Sequence, residues 1–337
     1  MKWILLVIFA GFSNGSFALP IKFTTKWNWE NTWGMFIFWG FVVLPVLLGF
    51  FTVPDLAAIC KDVGTQKLLR IFGFGFLWGI GSICFGLGIK HVGIGLAFSI
   101  NIGITIAIGS LMPLFLTELS SAETKSIAAV AAGVVTIVVG VVISGYAALL
   151  RERDQQRNDA YGSTGRPTAG VFRIGLLLCI CAGVMSPMLQ FAFIHGDAII
   201  QAANARGVSE TIASNAVWAV ALAGGFLANS CYVIKLLIQH DSWRLYRMKE
   251  SGRYHGLALL MGLFWVITIA CYGMAVSNLG VLGLSVGWAI FNSVGIITAN
   301  LLGLFTKEWR GVSRKTYTVF GMGLATLVLG TCLVAAL

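Results

Sequence analysis

Charge is scarce in this chain. Asp, Glu, Lys and Arg make up 11% of its 337 residues, where a soluble domain carries about 25%. A larger core does not explain the shortfall, because a surface facing water needs charge whatever lies beneath it. With 58% of residues hydrophobic and a mean hydropathy of +0.87, the surrounding solvent is read as lipid. Strand-type alternation is also missing. The apolar runs are continuous, which excludes a transmembrane barrel and leaves helices, the other structure that satisfies its backbone in hydrocarbon. Cysteine is present but builds nothing. The seven residues (Cys60, Cys84, Cys179, Cys181, Cys231, Cys271 and Cys332) are odd in number, mostly inside apolar runs and without metal-site spacing, so they read as small packing residues. No Ser or Cys nucleophile stands beside a base in a readable motif. His195-Gly196-Asp197 is too compressed to define a metal site, and the 41 glycines are dispersed rather than gathered into a phosphate loop. The reading is a non-enzyme with no cofactor and no metal.

What is there is a series of apolar runs, each long enough for the roughly 20 residues a spanning helix needs. They predict an all-α polytopic membrane protein with ten spans, at about 3–22, 32–53, 69–89, 94–117, 126–150, 170–194, 210–238, 255–277, 281–305 and 315–336. Polar connectors at 151–168 and 239–253 are too short to be domains. The first run also has features of a signal peptide, with Lys2, an apolar stretch and Ser16-Phe17-Ala18. Its continuation through Pro20-Ile21 and its interruption by Ser13, Asn14 and Ser16 favour a span.

The net charge of +10 suggests nucleic acid until its distribution is followed. Odd-numbered loops hold Lys22, Lys26 and Lys90. They also hold Arg151, Arg153, Arg157, Arg166 and Arg173, then Lys235, Arg244, Arg247, Lys249 and Arg253, and finally Lys307, Arg310, Arg314 and Lys315. That is seventeen of the 23 basic residues. The termini and even-numbered loops hold Lys2, Lys61, Lys67, Arg70, Lys125 and Arg206. Cytoplasmic loops are rich in Lys and Arg, so the odd loops are expected inside and both termini outside. The basic balance is topological, and no nucleic-acid partner is needed to account for it.

Sliding the chain by 187 residues places Trp78 on Trp265, Cys84 on Cys271, Phe85 on Tyr272, Gly86 on Gly273 and Gly93 on Gly280. Three further residues of slip bring Glu118 onto Glu308. Span three thus matches span eight, span four matches span nine, and each pair runs in opposite directions. We read an inverted five-plus-five repeat, with a first half at 1–150, a cytoplasmic linker at 151–169 and a second half at 170–337.

Uncharged polar residues recur at helical spacing. They include Asn101 and Thr105; Ser186 and Gln190, beside Pro187; Thr211, Asn215 and Trp218; Trp78, Ser82 and Phe85; Trp265, Thr268 and Tyr272; and Ser285, Trp288 and Asn292. Taken one at a time, such groups are packing glue between helices. Their recurrence in six spans supports a polar cavity instead, lined by amides for hydroxyl groups and flat indole faces for C–H surfaces. The candidate binding residues are Asn14, Trp78, Ser82, Asn101, Gln190, Asn215, Trp218, Trp265, Tyr272, Trp288 and Asn292. Trp3, Trp27, Trp29, Trp33, Trp243 and Trp309 suit the interfacial belt. No carboxylate lies at a span centre. The ionisable groups near span ends give the proton-coupling candidates His195, Asp197, Glu118 and His91, each of which has a plainer reading as a solvated helix end.

The segment Lys26-Trp27-Asn28-Trp29-Glu30-Asn31-Thr32-Trp33, preceded by Pro20-Ile21-Lys22, resembles the start of bacterial L-rhamnose–proton symporters, in the drug/metabolite transporter superfamily. So do Trp78-Gly79-Ile80-Gly81 with Phe85-Gly86-Leu87, the run from Gly93-Ile94-Gly95 to Ile106-Ala107-Ile108-Gly109, and Lys307-Glu308-Trp309. The likeness runs along nearly the whole chain and departs at 267–299, which is more apolar. It implies ten spans, an inverted repeat, and proton-driven uptake of a 6-deoxyhexose across the bacterial inner membrane. The expected activity is alternating-access symport of L-rhamnose or a similar small neutral sugar, with the proton and the lipid bilayer as the other partners. Two rival readings remain open on the residues alone: an exporter or exchanger of another metabolite on the same scaffold, and a membrane sensor or scaffold without a transport cycle.

Overall fold

The computed structural model describes residues 1–92, 94–116, 123–158 and 169–335. Among them every regular element is a helix, without a strand. In chain order the helices are α1 (Lys2–Ser16), α2 (Trp29–Ile37), α3 (Leu44–Thr52), α4 (Leu56–Val63), α5 (Thr65–Val92), α6 (Ile94–Leu116), α7 (Glu123–Asn158) and α8 (Ala169–Met185). Then follow α9 (Met188–His195), α10 (Asp197–Asn204), α11 (Glu210–Ala213), α12 (Asn215–Gln239), α13 (Ser251–Ser277), α14 (Gly280–Phe305) and α15 (Arg314–Ala335). Nine helical stretches among the described residues are long and apolar enough to cross a membrane. The expected fourth span coincides with α6, a helix of 23 residues. The chain is a multi-pass α-helical membrane protein.

Two spans are interrupted where a helical hydrogen bond is lost. Pro45 has no N–H to give, and a π-helical turn, Phe38–Val43, precedes it between α2 and α3. Ser186 and Pro187 separate α8 from α9 in the same way. The polar connectors depart from the loops expected of them. Helix α7 runs on to Asn158, because its polar end finds partners: Gln155 Nε2 donates to the Glu308 carbonyl at 2.7 Å, and Asp154 accepts from the Ser313 N–H at 2.8 Å. The connector 239–253 contains a 3-10 helix, Ser242–Arg247.

The chain divides into two compact units. Unit one is Met1–Ile80 with Met188–Leu279, and unit two is Gly81–Pro187 with Gly280–Leu337. Each therefore draws on both halves of the sequence. In unit one, α1 lies along α13, and Ser13 Oγ donates to the Phe264 carbonyl at 2.8 Å. Helices α5 and α12 meet backbone to backbone: a Cβ on Gly75 would strike the Ala221 carbonyl, and one on Gly79 would lie 2.9 Å from the Gly225 carbonyl. Lipid supplies no hydrophobic force between helices, so close approach of this kind and interhelical hydrogen bonds hold them together. In unit two, α7 lies along α15. A Cβ on Gly140 would come within 2.8 Å of the Leu327 nitrogen, and one on Gly330 within 2.8 Å of the Ile137 nitrogen.

Ion pairs join connectors of matching parity. Lys26 of the first loop meets Glu250 of the seventh at 2.6 Å, and Arg151 of the fifth meets Glu308 of the ninth at 3.1 Å. Arg206 of the sixth meets Asp62 of the second. The first and seventh connectors thus share one end of unit one, and the fifth and ninth share one end of unit two.

Candidate functional site

Unit one brings several candidate residues into an aromatic core. The indoles of Trp78, on α5, and Trp265, on α13, stack with centroids 5.6 Å apart and planes 15° apart. Phe41, in the π-helical turn, lies 5.1 Å from the first and 5.8 Å from the second. Phe17 and Phe36 extend the cluster, with Phe17 edge-on to Trp265 at 5.5 Å and 5.4 Å from Phe36. Trp265 is buried, and its indole N–H has no hydrogen-bond partner among the described residues.

A second group lies at the start of α12. Trp218 is 1% exposed and stacks on Phe193 at 5.1 Å. Its indole N–H is also without a partner, and it stands 2.8 Å from the place a Cβ would take on Gly273. Asn215 Nδ2 donates to Thr52 Oγ1 at 3.1 Å, while its Oδ1 has no donor. Buried polar atoms are normally satisfied, and these two indole N–H donors and one amide oxygen are exceptions among the described residues. Gln190 on α9 and Tyr272 on α13 are buried in the same unit, and Asn14 on α1 is half-buried.

In unit two the polar candidates are bonded between helices. Ser186 Oγ donates to Asn101 Oδ1 at 3.1 Å, and Trp288 Nε1 donates to the Thr105 carbonyl at 3.1 Å. Asn292 Nδ2 donates to the Trp288 carbonyl on its own helix at 2.9 Å, and Ser285 Oγ bonds the Ser110 carbonyl. Ser82 is half-buried on α5. The Asn101/Thr105 and Ser285/Trp288/Asn292 stripes lie on single helices, whereas Ser186 and Gln190 are divided by the break before α9, and Thr211 lies on α11 apart from Asn215 and Trp218; several of these residues carry the interhelical bonding of the plainer reading.

The proton-coupling candidates are dispersed. His195 is exposed at the end of α9, its ring stacked on Phe74 at 4.9 Å and 9°. Asp197 is exposed and bonds Gln201 one turn along α10. His91 is half-buried near the end of α5. Glu118 lies outside the described residues.

Three features were missed in the sequence. Asn229, deep in α12, accepts from Trp33 Nε1 at 3.1 Å and donates to the Gly225 carbonyl at 2.9 Å. It lies two heptads beyond Asn215, and that spacing was the available signal. Glu30, which is 3% exposed, bonds His240 Nδ1 and Ser242 Oγ at 2.8 Å each and Asn28 Nδ2 at 3.2 Å. Around it, Asn31 Nδ2 donates to the Ser242 carbonyl at 2.9 Å and Trp27 Nε1 to the Leu245 carbonyl at 2.9 Å, so the tryptophan-rich segment clamps the connector 239–253. Just outside the spans, burial pushes the Tyr246 phenol up to about 12, while Lys26 is held above its usual value by its bond to Glu250. The third feature is the Arg151–Glu308 pair beside Trp309. Trp27 and Trp309 are buried, at 6% and 2% exposure, the first against Tyr246 of the connector and the second against Phe320 and the Arg151 guanidinium.

The nine long apolar helical stretches among the described residues define a polytopic membrane protein. The chain is similar over residues 1–336 to the family model of the L-rhamnose-proton symport protein. It belongs to that family. The L-rhamnose-proton symporter of Pectobacterium atrosepticum is 28% identical over 342 residues, covering 98% of this chain and 97% of that one. Its namesake in Mannheimia succiniciproducens is 28% identical over 346 residues, with the same coverage. The Klebsiella pneumoniae symporter is 27% identical over 331 residues, covering 96% and 93%.

Proposed function

We propose that this protein takes up L-rhamnose, or a closely similar neutral sugar, together with protons by alternating access across a bacterial inner membrane. The observation that carries the proposal is the family match along the whole chain. In this reading the unpartnered Trp218 and Trp265 N–H groups and the Asn215 amide oxygen bond sugar hydroxyls, and the Trp78–Trp265 rings wall the sugar's C–H face. Gln190, Tyr272 and Asn14 in unit one, with Ser82, Asn101, Trp288 and Asn292 in unit two, are further binding candidates. His195, Asp197, His91 and Glu118 remain the coupling candidates. The halves 1–150 and 170–337 are proposed as inverted repeats, a reading supported by the share each half has in both compact units. The test is uptake of labelled L-rhamnose by proteoliposomes holding an alkaline interior. Accumulation that a protonophore abolishes is expected. Uptake no faster than in empty vesicles would overturn the sugar, and accumulation indifferent to the pH gradient would overturn the coupling.

A further inference from the structure

Unit two contains a pocket of 150 Å³ lined by none of the residues assigned to the sugar above. One wall is aliphatic, formed by Ile102, Val141 and Ile296. The other end is polar, with Ser144, Arg151, Asn300 and Glu308 beside the Trp309 indole. It lies where α7 and α14 give way to their polar connectors.

The pocket is firmly built. Trp309 packs tilted against Phe320, with centroids 4.0 Å apart and planes at 42°, and the guanidinium of Arg151 lies over the same indole at 5.0 Å. Gln155 holds the Glu308 carbonyl at 2.7 Å, and Tyr317 Oη donates to the Trp309 carbonyl at 2.7 Å. Within this frame the Arg151 side chain is 16% exposed. A guanidinium carries five N–H donors. One meets Glu308 at 3.1 Å, and among the described residues no other acceptor bonds this group. A half-buried guanidinium with donors free to turn towards a pocket suits a ligand that brings acceptors.

The neighbouring Glu308 narrows the choice. The pair is neutral overall, so an anion drawn by the guanidinium is repelled by the carboxylate. A hydroxyl group suits both, accepting from Arg151 and donating to Glu308. A cavity of this size accommodates a six-membered ring, and the aliphatic wall suits a C–H face or a methyl substituent. We propose that this pocket is a second binding subsite for a neutral pyranose, separate from the residues assigned above and placed at the connector end of unit two. The inference rests on a sugar being the cargo.

The test counts bound sugar. Purified full-length protein in detergent is titrated with labelled L-rhamnose by equilibrium dialysis, alongside Glu308→Gln, Ala148→Phe and Arg151→Lys. Two sugars per wild-type chain are expected. Glu308→Gln and Ala148→Phe should bind one, at the affinity of the surviving site, which also shows that they remain folded. Arg151→Lys should weaken only the second site, by at least about tenfold, because a charged hydrogen bond with fixed geometry is lost. One sugar per wild-type chain, or two in both Glu308→Gln and Ala148→Phe, overturns the subsite. Proton-driven uptake with a single bound sugar leaves the transport proposal standing, whereas no binding and no uptake overturns both.

Discussion

Trp78 and Trp265 stack face to face although 187 residues separate them, and that is the same offset at which the two halves of the sequence align. In the proposed inverted repeat, a residue that meets its own equivalent lies on the axis relating the halves, as residues on a two-fold interface do. Phe41 braces both rings. Replacing either indole by alanine removes a large buried face. Aromatic pairs contribute about 0.5–1.5 kcal/mol beyond burial, and core Trp→Ala changes cost about 3–5 kcal/mol. Trp265→Ala is expected to lower initial L-rhamnose uptake by about tenfold or more at equal membrane abundance, and Trp78→Phe by only a few-fold. Full uptake by Trp265→Ala in proteoliposomes would remove the stack from the transport site.

Glu30 gives the second expectation. Its carboxylate is buried and takes three side-chain bonds, from His240, Ser242 and Asn28. Removing a partner from a buried charge typically costs about 3–5 kcal/mol. Because His240 is half-exposed, solvent screens the pair and its own share is smaller. Glu30→Ala should therefore lower the thermal midpoint in detergent clearly, His240→Gln only slightly. Equal losses would show that the histidine, rather than the whole bonding set, holds the carboxylate in place.

The spans were legible because lipid imposes one condition on every helix alike: about 20 apolar residues with no unsatisfied backbone. The Lys26–Glu250 and Arg206–Asp62 pairs join loops of matching parity, as an alternating series of spans requires. The stripes at Asn101/Thr105 and Ser285/Trp288/Asn292 were legible as faces, the breaks at Ser186-Pro187 and Ser214 were not, and spacing could not say whether Asn101 would meet Ser186 or solvent. The Arg151–Glu308 pair and the Glu30–His240 pair were hidden because each joins residues more than a hundred positions apart in the chain. Only the fold brings them together, and both sit in segments that read as ordinary polar connectors. The continuation of α7 past 150 was missed for the same reason: Asp154 and Gln155 are helical because of partners near Ser313 and Glu308.

The absolute orientation follows from which end carries the basic residues. The odd loops hold seventeen of the 23, and positive charge is retained in the cytoplasm. Both termini should then be extracytoplasmic. A reporter active only in the cytoplasm should stay silent when fused after Leu337 and report when inserted in the connector 151–168. An active fusion at Leu337 would reverse the assignment, and with it the side on which the Arg151–Glu308 pocket opens.

Tyr246 offers a reading of the connector clamp in solution. Its hydroxyl donates to the Asn31 carbonyl at 3.2 Å, and its ring stands edge-on to Trp27 at 5.3 Å. Burial, reinforced by the charge of Glu30, pushes the phenol from the ordinary 10 up to about 12. The folded state thus favours the protonated form. That contribution to stability is fully present below pH about 10, the unfolded value, and is lost as pH rises towards about 12. Phenolate absorbance, taken as wild type minus Tyr246→Phe, should titrate with a midpoint near 12. Because a phenolate cannot donate to Asn31, Trp27 should become more accessible to a soluble quencher over the same pH range. In Tyr246→Phe the quencher should reach Trp27 to the same extent across that range. A phenolate midpoint near 10 would mean that Tyr246 is in water, and that the tryptophan-rich segment does not clamp the connector in the membrane-embedded protein.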